Sequence, residues 1–111
     1  MYTVFEANPK TEEKIEIDNN VIIANLNRIQ SQIFRCLPAR EEGLDWQKPL
    51  ETLAIELLGM QKLFPQLEDL VSLVCKILGL LDKDKEDDFY LYRRTIFECC
   101  GLVNKLKEQF V

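Results

Sequence analysis

Read for polarity alone, the chain divides into a short alternating segment followed by four stretches with helical periodicity. The most apolar runs from Gln66 to Leu81. There Leu67, Leu70, Val71, Leu73, Val74, Cys75, Ile77, Leu78, Leu80 and Leu81 leave a polar stripe of only Glu68/Asp69, Ser72, Lys76 and Gly79. A helix with so little polar surface is expected in the middle of a bundle. Upstream, Ile22, Leu26, Ile29 and Ile33 form one helical face, widened by Ile23, Phe34 and Leu37, with Asn25, Asn27, Arg28, Gln30 and Gln32 opposite. This first helix is expected to start after Asp18-Asn19-Asn20, residue types that cap helix N-termini, and to stop at Pro38.

The connection Pro38 to Lys48 carries a turn at Gly43, with Leu44 and Trp46 expected to fold back on the bundle. Asp45 suits an N-cap, and Pro49 is tolerable in a first turn, where backbone donors lack helical partners. The second helix then presents Leu50, Leu53, Ala54, Leu57, Leu58 and Phe64. Phe64-Pro65 breaks it, because a residue before proline is pushed out of α geometry, and so tight a turn predicts antiparallel neighbours. After the charged run Asp82 to Asp88, Asp87 or Asp88 caps a fourth helix. Its seam is Phe89, Tyr92, Ile96, Cys99/Cys100, Val103, Leu106 and Phe110, with Tyr90, Leu91, Phe97 and Leu102 off it. At the N-terminus, Tyr2 to Ala7 and Lys14 to Ile17 alternate on either side of the turn signal Asn8-Pro9-Lys10-Thr11. That pattern fits a small β-hairpin or an extended arm, since an isolated two-stranded hairpin is marginal.

The expected fold is all-α: an antiparallel four-helix bundle over 19–111, one domain, preceded by an arm or hairpin over 1–18. Helix three is expected to be the most buried. Helices three and four hold more apolar residues than one stripe needs, which predicts a partner surface and a homodimer. Gly59, Gly79 and Gly101 fall inside helices, where glycine costs about 1 kcal/mol relative to alanine; close helix approach is one reason to keep them.

Composition narrows the chemistry. The chain has no histidine, which removes histidine acid–base catalysis, Ser-His-Asp and Cys-His systems, and histidine zinc sites. The same absence removes the Arg…His ribonuclease motif of the HEPN helical bundles. A net charge of −5, with Arg93-Arg94 the longest basic run, makes nucleic acid an unfavoured partner. No stretch is long and apolar enough for a membrane span, and Met1 to Asp18 lacks the apolar core of a signal peptide, so a cytoplasmic location with reduced thiols is expected. Cys36, Cys75, Cys99 and Cys100 form no C-x-x-C pair and read as core thiols.

Two carboxylate sets invite metal chemistry. Asp82 to Asp88 shares only the Asp82/Asp84 alternation with an EF-hand loop; the glycine and the distal glutamate are out of register. Glu51, Glu56, Glu68 and Asp69 do not reproduce the E-x-x-E and E-x-x-D arrangement of all-α nucleoside triphosphate pyrophosphatases, and Glu68 and Asp69 suit a helix N-terminus. Neither set predicts a metal or cofactor. The remaining candidates are Arg35, Arg40, Trp46, Tyr90, Tyr92, Arg93 and Arg94, residue types enriched at interface hot spots. The sequence therefore predicts a non-catalytic protein-interaction module: an adaptor, assembly or regulatory subunit. The competing readings are a carboxylate metal hydrolase, and a nucleoprotein subunit contacting nucleic acid through Arg35, Arg40, Arg93 and Arg94.

Overall fold

The computed structural model describes residues 2–8, 13–82 and 88–111. The N-terminal segment is a hairpin: β1 (Tyr2–Asn8) pairs antiparallel with β2 (Glu13–Asp18), Tyr2 opposite Asp18 and Phe5 opposite Ile15. Its turn beyond Asn8 lies outside the described residues. Ile17 packs against the helical core, which gives the two-stranded unit the support it needs.

Four helices follow: α1 (Asn19–Glu41), α2 (Gln47–Leu63), α3 (Glu68–Leu80) and α4 (Phe89–Glu108). The caps explain the boundaries. Asp18 accepts from the Asn20 amide at 2.9 Å, and Asp45 accepts from the Gln47 and Lys48 amides at 3.1 and 3.2 Å. Asp88 accepts from the Leu91 amide at 3.0 Å, satisfying donors that an α-helix leaves unpaired at its start. Asp87 and the rest of 83–87, and with them the charged-loop metal reading, lie outside the described residues.

The bundle runs up-down-up-down, so α1 neighbours both α2 and α4. Asn19 at the start of α1 donates to the Phe110 carbonyl beyond α4 at 2.9 Å, and the Tyr92 hydroxyl near the start of α4 donates to the Cys36 carbonyl of α1 at 2.6 Å. Across α3 and α4, Lys76 and Glu98 pair at 2.6 Å, and Arg28 pairs with Glu56 between α1 and α2. Ile29, Ile33, Leu50, Leu57, Leu73 and Ile96 are among the fully enclosed core residues. Phe64 and Phe110, 5.6 Å apart edge to face, close one end.

Several expectations are corrected. Pro38 does not end α1. It sits inside the helix, whose stop is a glycine motif: Gly43 at φ +73°, the Gly43 amide on the Arg40 carbonyl at 3.2 Å and the Leu44 amide on the Ala39 carbonyl at 2.8 Å. That paired arrangement is the Schellman C-cap. A proline this close to the helix end loses one backbone bond, and the glycine cap still closes the last turn. Helix three buries the largest share of its residues, as expected, but it is not enveloped in the middle of the bundle. In a four-helix ring each helix turns one stripe inward, so Leu70, Leu73, Val74, Ile77 and Leu80 are buried while Val71, Cys75 and Leu78 face outward. Leu44 and Leu58 are likewise exposed. The helical glycines are not sites of close approach, because a Cβ added at Gly59, Gly79 or Gly101 would meet nothing within 4 Å.

Candidate interaction surface

Helices α1 and α4 build the most distinctive surface of the described chain. Their antiparallel seam is stitched by polar contacts: the Gln30 amide nitrogen donates to the Cys100 carbonyl and to Asn104 Oδ1, both at 2.9 Å, and Lys107 donates to Asn27 Oδ1 at 2.9 Å. Phe34 follows the core residue Ile33 and Phe97 follows the core residue Ile96, so each ring stands about 100° around its helix from the buried stripe. The two rings meet over the seam at 6.1 Å, edge to face, each 47% exposed. The Arg93 guanidinium lies 5.7 Å from the Phe97 centroid. Tyr90, 77% exposed, stands one turn before Arg93 and Arg94. Arg35 shares a shallow hollow of about 530 Å³ with Gln30, Ser31, Phe34, Phe97 and Cys100.

The charge here opposes that of the whole chain. Among the described residues Arg35 and Arg93 make no ion pair. Arg94 Nε reaches Glu98 at 3.2 Å, but Glu98 also holds Lys76, and that contact first and Arg94 second keep its carboxyl below the usual range. A positive, aromatic patch thus sits on a chain of net charge −5.

Of the residues singled out from sequence, Arg35, Tyr90, Arg93 and Arg94 meet on this face. Arg40, Trp46 and Tyr92 do not; they form a separate knot where the end of α1 meets the start of α4, with Tyr92 turned to the core and away from the exposed Tyr90. Tyr92 is corrected outright as a surface candidate, being 2% exposed and wedged in the core with its hydroxyl satisfied. The Arg40 guanidinium is ringed by Tyr92 at 4.4 Å, Trp46 at 5.1 Å and Phe89 at 5.8 Å. Trp46 packs edge to face on Tyr92 at 4.9 Å and does fold back as expected. The knot is internal bracing, in which a cation is held by ring faces. Sequence reasoning missed Phe34, read as core, and Phe97, left off the seam. The signal was available: each directly follows a core isoleucine, a position that flanks a buried stripe.

Reactive chemistry is sparse. Burial pushes the Cys36 thiol up to about 11 and the Cys99 thiol up to about 12, so neither is a thiolate nucleophile near neutrality. Cys75 is exposed, against the expectation of a core thiol, and Cys100 is half-buried with its thiol raised by burial. A hollow between α3 and α4 of about 290 Å³ brings Arg40, Lys76 and Thr95 to its lining, and another of about 410 Å³ lies beside Trp46. The carboxylate in these two linings is Asp45, which caps α2. Among the described residues no cluster of three His, Cys, Asp or Glu side chains is arranged to hold a metal ion, and no helix is long and apolar enough to cross a membrane. Compared with known proteins, the chain matches no family model, no curated protein and no solved structure.

Proposed function

We propose that this chain is a non-catalytic protein-interaction module of the cytoplasm, an adaptor or subunit that docks a protein partner on the α1–α4 face. The observation that carries the reading is the Phe34–Phe97 pair. Two phenyl rings meet half in solvent, beside Arg35 and Arg93, whose charges no carboxylate neutralises among the described residues. Packing alone gives no reason for it, since the core is closed beneath by Ile33 and Ile96. Exposed aromatic and arginine side chains are the groups that contribute most when desolvated by a partner. A reducing compartment suits four cysteines that are all unpaired.

The test is affinity capture from extract of a cell that makes the protein. The wild type is compared with Phe34→Ser/Phe97→Ser, each shown by circular dichroism to be folded. Partners retained by the wild type and lost from the variant support the reading; identical retention by both removes it. Self-association is a second reading, favoured by the outward stripe Val71, Cys75 and Leu78 on α3.

A further inference from the structure

The docking face itself limits what can sit on it. Resting on the reading above, we propose that the α1–α4 face takes an acidic segment of another protein that carries apolar anchor side chains. Any occupant must cover the Phe34 and Phe97 rings, and in doing so it takes the heads of Arg35 and Arg93 out of water. A neutral apolar segment would leave two guanidiniums buried without counter-charge, which costs several kcal/mol per ion. A basic segment would add repulsion to that cost. Carboxylates answer both arginines, and the planar guanidinium fork donates to them in bidentate geometry. The partner's apolar side chains fill the hollow between the rings and Cys100.

Charge also decides against the other occupants. A second copy docked face to face would bring Arg35, Arg93 and Arg94 of both chains together, a like-charge juxtaposition. Nucleic acid fits poorly because the rings pack edge to face on each other and offer no free parallel stacking platform, and a net charge of −5 repels the phosphate backbone. Neutral side chains line the α1 side of the seam at Asn27, Gln30 and Ser31. Glu98, the carboxylate nearest the arginines on α4, is engaged by Lys76 and Arg94. Glu41 and Glu42 stand at the end of α1 beyond Pro38, the end at which α4 begins, so the acidic segment is expected to lie over Phe34 and Phe97 and on toward Asn104.

The probe is a phage-displayed library of random 16-residue peptides, selected on the immobilised full-length chain. Enriched peptides are then synthesised and titrated against wild type, Arg35→Glu/Arg93→Glu and Phe34→Ser/Phe97→Ser by fluorescence anisotropy. The expected result is a set of net-negative peptides with Leu, Phe or Trp anchors, weakened about tenfold or more by either variant and weakened further as salt rises. Enriched peptides that are neutral or basic, yet still depend on Phe34 and Phe97, overturn the acidic occupant and leave the docking reading standing. Absence of any peptide that distinguishes wild type from the phenylalanine variant overturns both. A labelled dT20 oligonucleotide that binds more tightly than the peptides, and is released by the arginine variant, overturns the assignment in favour of nucleic acid. A doubled mass in light scattering that the arginine variant abolishes overturns it in favour of a second copy.

Discussion

Tyr92 and Arg40 carry opposite lessons about single residues. Tyrosine beside two arginines looks like a surface residue, yet Tyr92 donates to the Cys36 carbonyl at 2.6 Å inside the core. Tyr92→Phe removes the donor and leaves that carbonyl with one partner fewer. The expected loss is about 1–2 kcal/mol of stability in urea titration. Arg40 is held by ring faces, so Arg40→Ala should also cost about 1–2 kcal/mol, and Trp46, the sole tryptophan, should report the loosened knot by its fluorescence. The buried thiols make a third residue-scale prediction. Cys36 and Cys99 stay protonated in the folded chain up to about 11 and about 12, against an ordinary thiol value of 9.0. Below pH 9 both states hold their protons and stability is unaffected; above it the unfolded chain ionises first. Stability should therefore fall as pH rises from about 9 toward 11, at about 1 kcal/mol per pH unit per thiol. Cys36→Ala/Cys99→Ala, compared with wild type by denaturant titration across that range, should flatten the fall.

At the scale of elements, the interest lies where helices keep residues that helices disfavour. Pro38 lies within α1 and withholds a donor from the Phe34 carbonyl one turn earlier. Pro38→Ala should restore that bond and raise stability by about 1–2 kcal/mol, less than a mid-helix proline costs because only the last turn is involved. A fall in stability would mean the proline's rigidity matters more than the missing bond. Gly59, Gly79 and Gly101 have open space where a side chain would go, so each Gly→Ala should stabilise by about 0.5–1 kcal/mol in thermal melts. The helices themselves were legible because polarity at a period near 3.6 is written into the chain: Ile22, Leu26, Ile29 and Ile33 all went to the core. Boundaries were legible wherever a short polar cap preceded an apolar run, as at Asp18, Asp45 and Asp88. They were misread at Pro38, because a proline's effect depends on which turn of the helix it occupies.

For the molecule as a whole, the outward stripe of α3 makes the oligomeric state the decisive measurement. If Val71, Cys75 and Leu78 meet their counterparts across a two-fold axis, light scattering after size exclusion should give twice the 13.0 kDa chain mass, and Leu78→Asp should return it to the monomer. Mild oxidation should then join two chains through Cys75, the exposed thiol, and Cys75→Ser should abolish the cross-link while Cys100→Ser, at the half-buried thiol on the α1–α4 face, leaves it intact. A monomer at all concentrations refutes this. The candidate site was half legible in the chain. Arg35, Tyr90, Arg93 and Arg94 could be named from residue type, whereas the meeting of Phe34 with Phe97 could not, because the periodicity of one helix does not say which flank of another it faces. Helical spacing determined how many helices there are, the centre of the stripe each turns inward, and that they alternate in direction through short connections. Which flank of each helix a neighbour covers is settled only when four of them share one core, since that depends on the rotation and order of the helices about a common axis. That arrangement left Cys75 and Leu78 outside, and joined two phenylalanines 63 residues apart, Phe34 and Phe97, into one surface.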